Sequence, residues 1–387
     1  MKSRFNGLIW AMLLAAVALN VFYGWQVVNG GSLKQFFHDS DVNAKTGCDF
    51  YGLYKAGHAL RHGKDIYDGD PQHKIVPCCY AFRYLPIGAA AASPLTFAKP
   101  QQAFWFWLAL IELAALLAAW ATYRHLRGTD GAVMAALWLA SSPVYLELYM
   151  GQFNMLQAAF LLGALLSLSG GSRQAGEAWL GAGMLWKLTA WLGAPVLAVK
   201  RRWRTLLLIA ATAVGTTLLY MLATGQSIDP FWENFRPARP GGAIYRGDLG
   251  FIMLLRVVVG KSLPAWLYYG VPVIALGACL ALTLLARRAK AANLLVLWFA
   301  AYFFIYPTIW EHHYLLLLPP LVFLYGQGRY RVLWLAALLL ALPTPYLVAG
   351  PQGAKWAGMW PALYHAVKPA AAAIVVATAA WHLWKKK

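Results

Sequence analysis

Long apolar runs separated by short polar segments extend along the whole chain and predict an all-α polytopic membrane protein. The first run, residues 1–29, has Lys2 and Arg4 in front of about 20 apolar residues, enough to cross a hydrocarbon core of about 30 Å. Because no small-residue cleavage site follows, we interpret this run as a retained first helix rather than a signal peptide. The later runs that we expect to be helical are residues 85–98, 102–123, 131–149, 152–170, 177–199, 205–223, 266–285, 294–306, 314–325, 332–348 and 370–384. The pattern thus predicts about twelve transmembrane helices in a single domain, residues 1–387.

Clusters of lysine and arginine between the apolar runs indicate the orientation. The strongest clusters are residues 200–204, 287–290, 329–331 and 385–387. Because positive charge is enriched in cytoplasmic loops, we expect all four in the cytoplasm together with the N-terminus. This arrangement leaves Arg124 and Arg127 outside, and a re-entrant pair around residues 181–187 is the alternative. Two long segments, residues 30–84 and 224–264, are then extracytoplasmic.

Composition and charge narrow the class of protein further. The chain of 387 residues is 60% hydrophobic and only 12% charged, with a mean hydropathy of +0.53, which excludes a soluble globular domain. The formal net charge of +19 is compatible with nucleic-acid binding. However, the basic residues lie in clusters between apolar runs, where membrane topology explains them, and we therefore exclude nucleic acid as a partner.

The two outer segments contain most of the acidic residues. Nine of the 14 acidic residues lie there, namely Asp39, Asp41, Asp49, Asp65, Asp68, Asp70, Asp229, Glu233 and Asp248. Cys48, Cys78 and Cys79 also lie in the first outer segment, as expected for an oxidising compartment. A bridge from Cys48 to Cys78 or to Cys79 is one interpretation, and buried free thiols are the other.

The segment that follows the first helix has helical periodicity. Apolar residues recur from Phe50 at Leu53, Ala56, Gly57 and Leu60, and a wetter face contains Tyr51, Lys55, His58 and His62. This pattern predicts an amphipathic helix that lies along the outer membrane surface. Asp49 stands at its start, where a carboxylate can act as an N-cap or remain ionised as a base, and the two interpretations are compatible.

Five short motifs carry a resemblance to a known family. They are "CDFYGLYKAGHALRHGKDIYD" from Cys48, "FRYLPIGAAAASPL" at 82–95, "GQFN" at 151–154, "WKLTAWLGAPVLAVKRRWR" at 186–204 and "WEHHYLLLLPP" at 310–320. Together and in this order they resemble the GT-C membrane glycosyltransferases. More narrowly, the chain resembles glycosyltransferase family 87, which includes phosphatidylinositol-mannoside mannosyltransferases.

The resemblance implies a GT-C fold with short interfacial helices in the first outer loop. It also implies a polyprenyl-phosphate sugar as the donor, used on the outer face of the membrane. By the same resemblance Asp49 is the catalytic acid, with Tyr51 and Tyr54 near the substrate, and Asp41 and Asp39 are the alternatives.

The chemistry of such a transfer indicates what else the site needs. A base must reach the acceptor hydroxyl, and one carboxylate is sufficient when the leaving group is already a phosphate. The leaving phosphate needs cations or N–H donors, and the predicted contacts are His313 first and His312 second. Both histidines also fit an interfacial position beside aromatic anchors.

Three further cations are candidates for the phosphate. Lys187 lies within an apolar run, so it pairs with another group, snorkels or lines a cavity. Arg246 and Arg83 are candidates in the outer segments, although arginines are also common on surfaces.

Two further groups of polar residues are not assigned to the site. Gln152 and Asn154 are interpreted as hydrogen-bonding groups between helices, and the twelve-helix arrangement places them on the cytoplasmic side. Asp39 and Asp41 have the D-x-D spacing of nucleotide-sugar enzymes, with His38 adjacent, but this loop is predicted to be outside, where nucleotide sugars are absent. We therefore predict neither a metal nor another cofactor.

The resulting hypothesis is an inverting glycosyltransferase in the plasma membrane with an extracytoplasmic active site. It moves a sugar, with mannose as the best candidate, from a polyprenyl-phosphate donor to a lipid or glycan acceptor, and membrane lipids surround it. The alternative is a secondary transporter or a lipid or polysaccharide flippase, which would depend on ionisable groups within the membrane.

Overall fold

A computed structural model describes residues 2–30, 33, 45–68, 75–78, 80–232, 247–259, 263–344 and 359–385. Within these ranges the regular structure is helical, and a single antiparallel bridge joins Asp248 to Trp310. The predicted all-α class is therefore confirmed.

Seventeen α-helices and three 3₁₀ helices make up the described part of the chain. In chain order the α-helices are α1 Lys2–Val28, α2 Cys48–Arg61, α3 Pro86–Ala92, α4 Pro100–Leu126, α5 Gly128–Ala140, α6 Ser142–Met150, α7 Asn154–Ser169, α8 Arg173–Trp186, α9 Ala194–Val199, α10 Trp203–Thr224, α11 Asp229–Trp232, α12 Phe251–Val259, α13 Ala265–Leu285, α14 Ala291–Ile305, α15 Leu318–Gly328, α16 Val332–Ala341 and α17 Met359–Lys385. The 3₁₀ helices are Ser93–Phe97, Leu188–Gly193 and Glu311–Leu317.

Six helices in the described ranges are long and apolar enough to cross a membrane. They are Ile9–Val28, Pro100–Leu126, Gly128–Met150, Trp203–Thr224, Ala265–Leu285 and Met359–Lys385. Large apolar side chains remain exposed on their outer faces, such as Trp120, Leu219 and Ile274. Exposure of this much apolar surface to water would be strongly unfavourable, so the helices form a polytopic membrane bundle.

Residues 85–98 do not form the transmembrane helix that we predicted. This stretch folds as the seven-residue α3 and the 3₁₀ helix Ser93–Phe97, both packed against α2. A seven-residue helix spans only about 10 Å, far less than the hydrocarbon core. When α4 begins, the chain is therefore still on the side of the membrane where residues 30–84 lie. Each later crossing before Lys200 consequently runs in the direction opposite to the prediction.

The position of Arg127 agrees with this correction. Arg329 forms an ion pair of 2.7 Å with Asp130 and donates a hydrogen bond of 3.3 Å to the carbonyl oxygen of Leu126. The end of α4 therefore lies beside Arg329, one of the clusters that we assigned to the cytoplasm. The exception to the positive-inside pattern at residues 124–127 thus disappears.

Residues 177–199 form a hairpin instead of one crossing. α8 ends at Trp186, the next residue Lys187 has extended backbone angles, and the chain returns through Leu188–Gly193 and α9. Arg202, which follows the hairpin, lies 3.4 Å from Glu177 in the first turns of α8, so both arms end on the same side. The re-entrant alternative is therefore the better description, and the predicted number of twelve helices is not confirmed.

The first outer segment packs onto the bundle through α2. Its predicted amphipathic helix is present as Cys48–Arg61, and Leu53 and Ala56 are buried. Cys48 forms a disulfide with Cys78, which is one of the two pairings left open by the sequence. Cys79, the other candidate, lies outside the described residues.

Candidate active site

One cavity of about 290 Å³ lies where the first outer segment meets the ends of the membrane helices. Its wall includes Asp49, Arg83, Gln152 and His312, together with the aromatic side chains of Phe153 and Trp310. Four separate elements contribute these residues: α2, the segment before α3, the turn between α6 and α7, and the start of the 3₁₀ helix Glu311–Leu317. The structure thereby brings together three of the predicted site residues, Asp49, Arg83 and His312.

Asp49 is held at the start of α2 by tight backbone packing. The N-cap residue is Gly47, whose φ of 81° lies in the left-handed region, so Asp49 is the second residue of the helix and not its N-cap. The Gly47 N–H donates a hydrogen bond of 2.8 Å to the Tyr149 carbonyl oxygen. A side chain at position 47 would also clash with Phe104, since its Cβ would lie 2.9 Å from the ring. The half-buried carboxylate is thus fixed at the positive end of a helix.

The second wall of the cavity is the segment from Tyr80 to Tyr84. The Cys48–Cys78 disulfide ties its start to α2, and the Tyr80 N–H donates a hydrogen bond of 3.1 Å to the Cys48 carbonyl oxygen. Arg83 is exposed at the edge of the cavity. These links fix the backbone that carries Arg83 relative to the backbone that carries Asp49.

The third wall is the turn of the "GQFN" motif. Gly151 has a φ of 64°, and its carbonyl oxygen accepts a hydrogen bond of 3.0 Å from the Trp107 indole N–H. Gln152 is only 7% exposed and lines the same cavity as Asp49. The prediction that Gln152 lies on the opposite side of the membrane was therefore wrong, because it depended on the erroneous crossing at residues 85–98.

Behind this turn, three polar side chains satisfy one another inside the bundle. Lys187 donates a hydrogen bond of 2.6 Å from Nζ to Asn154 Oδ1, and Asn154 donates one of 3.2 Å from Nδ2 to Glu147 Oε2. Glu147 Oε1 also accepts from the Met155 N–H at 2.7 Å. Asn154 is thus a bridge between helices, as predicted.

The charge of Lys187 also influences the site. It lies at the tip of the re-entrant hairpin and is 8% exposed. Its ammonium is close enough for its charge to interact with Glu147 and Asp49 and with the His313 ring. Lys187 therefore supplies positive potential from behind the cavity, although it is not one of the residues that line it.

The two predicted histidines have different surroundings. His312 is 2% exposed and lines the cavity, whereas His313 lies outside the cavity wall, with its Nδ1 3.3 Å from the Tyr302 hydroxyl. His312 therefore lines the cavity and His313 does not, and the choice of His313 as the first phosphate contact stays a prediction that this geometry does not favour.

Asp248 fixes the position of the segment that leads into the 3₁₀ helix with His312. This buried carboxylate accepts hydrogen bonds of 3.0 Å from the N–H groups of Gly250 and Ile309. Burial raises the pKa of Asp248 to about 7, although these two N–H donors act in the opposite direction. The Tyr314 hydroxyl adds a hydrogen bond of 2.9 Å to the Leu249 carbonyl oxygen. The described end of the second outer segment thus sets the position of Trp310 and His312.

A buried ion pair holds the same loop from its other side. Glu311 lies 3.3 Å from Lys368 Nζ of α17 and accepts hydrogen bonds from Ser142 and Thr344. Lys368 also donates to the carbonyl oxygens of Leu340 and Leu342, so each charge of the pair is hydrogen-bonded. Glu311, the residue next to His312, therefore ties this segment to α6, to α17 and to the residues that follow α16.

The remaining predicted site residues lie elsewhere. Tyr51 and Tyr54 are buried, and their hydroxyls donate to Gln101 Oε1 at 3.0 Å and to the Ala98 carbonyl oxygen at 2.8 Å. They anchor α2 to the start of α4, so the structure does not place them at the cavity. Arg246, Asp39, Asp41 and His38 lie outside the described residues.

The structure describes no group of three or more His, Cys, Asp or Glu side chains that could hold a metal ion within its ranges. The absence of a metal or another cofactor remains a prediction, because the D-x-D segment is outside those ranges.

Sequence reasoning missed the cavity position of Gln152 and the roles of Asp248 and Glu311. The "GQFN" motif drew attention to Gln152, but we predicted it on the wrong side of the membrane. Asp248 and Glu311 gave no local signal, because their partners lie 61 residues away at Ile309 and 33 residues away at Thr344.

Comparison with known proteins gives the family. No curated protein matches the chain at a significant level. The sequence model of glycosyltransferase family 87 matches residues 82–308, which include Arg83, Gln152 and Lys187. Asp49 and His312 lie on either side of the matched range and complete the same cavity. The chain therefore belongs to glycosyltransferase family 87 and is a multi-pass membrane glycosyltransferase.

Proposed function

We propose that the protein is an inverting transferase that moves mannose from a polyprenyl-phosphate donor to a lipid or glycan acceptor. The transfer takes place on the extracytoplasmic face of the plasma membrane. Family membership supplies the glycosyltransferase class. The donor and the sugar follow from the resemblance to the family, the stereochemistry from the reaction described below, and the side of the membrane from the basic clusters.

The observation that carries the proposal is the combination of charges around one cavity. Among the described residues that line it, Asp49 is the only one with a carboxylate, and Arg83 and His312 are basic. Lys187 adds positive potential from behind. A glycosidase would require two carboxylates flanking the bond, whereas transfer from a sugar phosphate requires one base and a positive environment for the phosphate.

The reaction follows from these roles. Asp49 accepts the proton of the acceptor hydroxyl as its oxygen attacks the anomeric carbon from the face opposite the phosphate. The bond between that carbon and the phosphate oxygen breaks, and the electron pair leaves with the polyprenyl phosphate. Arg83 and His312 stabilise the charge that develops on the phosphate. Attack from the opposite face inverts the anomeric centre, so a β-linked donor gives an α-mannoside.

Basic residues at the opposite end of the bundle support the proposed side of the membrane. Lys200 Nζ donates a hydrogen bond of 2.7 Å to the Arg287 carbonyl oxygen, which brings two basic clusters together. Arg329 contacts the end of α4, so the basic residues at the end of α4 lie at this end of the bundle as well. If these clusters are cytoplasmic, the cavity opens to the extracytoplasmic side, where a lipid-linked donor rather than a nucleotide sugar is available.

The donor can be tested with purified protein in lipid nanodiscs. Synthetic farnesyl-phosphoryl mannose, other farnesyl-phosphoryl sugars and GDP-mannose should each be offered with a membrane lipid extract as the source of acceptor. Mannose transfer from the farnesyl-phosphoryl donor, lost in Asp49→Asn, is the expected result. Transfer from GDP-mannose alone would contradict the proposed donor.

A further inference from the structure

We propose that the Gln152 carboxamide is a specificity-determining contact that accepts a hydrogen bond from a neutral hydroxyl of the bound substrate. The inference rests on the proposed function in taking that hydroxyl from a sugar. It assigns to the "GQFN" turn a direct role in recognising which sugar enters the cavity.

The first observation is an unsatisfied polar group at the cavity wall. Gln152 is 93% buried, since only 7% of it is exposed, and it is one of the residues that line the cavity together with Asp49. Its Oε1 atom is buried and has no hydrogen-bond partner among the described residues. A buried acceptor without a donor is unfavourable, and a hydroxyl bound in the cavity would satisfy it.

The second observation is that the turn cannot carry Gln152 away from the cavity. The Gln152 N–H donates a hydrogen bond of 2.9 Å to the Glu147 carbonyl oxygen, and Trp107 holds the carbonyl oxygen of Gly151. Gly151 packs so tightly against α2 that a Cβ there would lie 2.7 Å from Phe50 Cβ. The backbone that carries the carboxamide is therefore held at a fixed position relative to the helix that carries Asp49.

The neighbouring residue fixes the turn from its other side. Phe153 packs edge-to-face against Tyr84 and Trp186, with ring centroids 5.0 and 6.0 Å apart. It joins the second wall of the cavity to the re-entrant hairpin. Gln152 thus lies in a rigid aromatic frame, which favours recognition by geometry over adaptation of a flexible loop.

The chemistry of the amide identifies the kind of group it recognises. A carbonyl oxygen accepts hydrogen bonds but is repelled by phosphate oxygens, whereas the guanidinium of Arg83 and an N–H of the His312 ring can donate to the phosphate. A sugar hydroxyl is neutral and donates, so it is the natural partner. A site built around such a bond rejects analogues that lack the hydroxyl, because the protein acceptor is then left unpaired.

The test is a comparison of deoxy substrates between the wild type and two variants. Gln152→Met keeps the length of the side chain but removes the acceptor, and Gln152→Glu keeps an acceptor. Gln157→Met is the matched control, because Gln157 is also buried with an unpartnered Oε1 among the described residues but does not line the cavity. Each protein receives farnesyl-phosphoryl mannose and analogues in which each sugar hydroxyl is removed in turn.

We expect wild-type kcat/KM to fall by about 10²-fold or more for the analogue that lacks the recognised hydroxyl. In Gln152→Met the fall in kcat/KM for this analogue should shrink to about 3-fold or less. Gln152→Glu and Gln157→Met should retain the full fall. If no analogue shows such a fall in the wild type, or if Gln152→Met retains the fall, the inference is overturned.

A binding measurement separates this inference from the proposed reaction. Stabilisation of each protein against thermal unfolding by farnesyl-phosphoryl mannose and its deoxy analogues reports recognition without turnover. A wild type that transfers no mannose but shows the same pattern of stabilisation, lost in Gln152→Met, contradicts the proposed reaction and supports the inference. A wild type stabilised equally by every analogue contradicts the inference, whatever its transfer activity. Thermal unfolding of the free proteins shows whether either variant is misfolded.

Discussion

The carbonyl oxygen of Tyr80 lies directly against the backbone of Gly52, so a Cβ at position 52 would be only 2.4 Å from that oxygen. Gly52 is three residues after Asp49 and also lines the cavity. The two walls of the candidate site therefore meet at a point that has room for glycine alone.

Gly52→Ala should push the Tyr80–Tyr84 segment away from α2. We expect an overpacking cost of about 1–3 kcal/mol in stability and a fall in kcat of about 10-fold or more, since Arg83 moves relative to Asp49. Thermal unfolding and transfer assays measure the two effects. Gly88→Ala is the control, because its Cβ would make ordinary contacts of 3.5 Å or more with Phe82 and Tyr84. Normal transfer by Gly52→Ala would contradict a rigid junction.

The disulfide between Cys48 and Cys78 should be required for the same junction. Replacing both cysteines by serine removes a link across 30 residues of sequence, and we expect a loss of about 2–4 kcal/mol in stability with reduced transfer. Treatment of the wild type with dithiothreitol should reproduce the loss and should have no further effect on the double variant. Equal sensitivity of both proteins to the reductant would point to another target. Cys279→Ala, which alters the buried free thiol of α13, is the control.

His312 and His313 provide a matched pair of neighbouring substitutions. His312→Gln removes an imidazole from the cavity wall and should lower kcat by about 10-fold or more, because a group that stabilises the leaving phosphate acts mainly in the transition state. His313→Gln should change kcat by no more than about 3-fold, since that ring contacts Tyr302 instead. Steady-state kinetics with the lipid donor measure both. The opposite ranking would return the phosphate contact to His313.

Topology reporters distinguish the hairpin arrangement from twelve crossings. If α4 runs inward, a reporter fused after Gly171 should be cytoplasmic, as should one after Trp203, whereas a reporter after Tyr80 should be outside. The twelve-helix arrangement places the position after Gly171 outside, so this fusion alone separates the two. A cytoplasmic signal after Tyr80 would remove the proposed extracytoplasmic site.

Local periodicity predicted α2 well, because the 3.6-residue repeat of Leu53, Ala56 and Leu60 needs only a nearby apolar surface. The same reasoning placed Tyr51 on the wet face, which was wrong. α2 is covered on more than one side, and both Tyr51 and Tyr54 are buried by the start of α4. Periodicity identifies a helix but not how many of its faces are covered.

Hydropathy failed at residues 85–98 for a different reason. Small apolar side chains there suit burial under another helix as well as insertion into lipid, and the sequence does not distinguish the two. The close packing of Gly57 against Ala92, where a Cβ would be 2.9 Å from the carbonyl carbon, shows that this run covers α2. One false crossing then inverted the predicted position of Gln152, since topology errors propagate along the chain.

The choice between His312 and His313 could not be made from sequence. In a 3₁₀ helix, adjacent side chains point about 120° apart, so only one of the two can face a given cavity. Which one does so depends on Asp248, whose carboxylate fixes Ile309 across 61 residues of sequence. Long-range contacts of this kind have no local signature.

Asp49 gives the most direct test of the proposed mechanism. Gly47 occupies the N-cap position, so Asp49→Asn does not remove an N-cap and isolates the loss of the charge and of the ability to accept a proton. We expect kcat to fall by about 10²-fold or more while the free energy of unfolding changes by less than about 1 kcal/mol, because asparagine keeps the size of the side chain.

The control for this substitution is Asp68→Asn, an exposed aspartate in the same outer segment that does not line the cavity. Both variants should be purified and compared with the wild type at saturating farnesyl-phosphoryl mannose, with thermal unfolding measured in parallel. Loss of transfer in Asp49→Asn together with normal transfer in Asp68→Asn is the result expected for a general base at the cavity. Turnover near the wild-type value in Asp49→Asn would contradict that role. The base would then have to come from Asp41, which lies outside the described residues, and the cavity would have to bind the acceptor in another orientation.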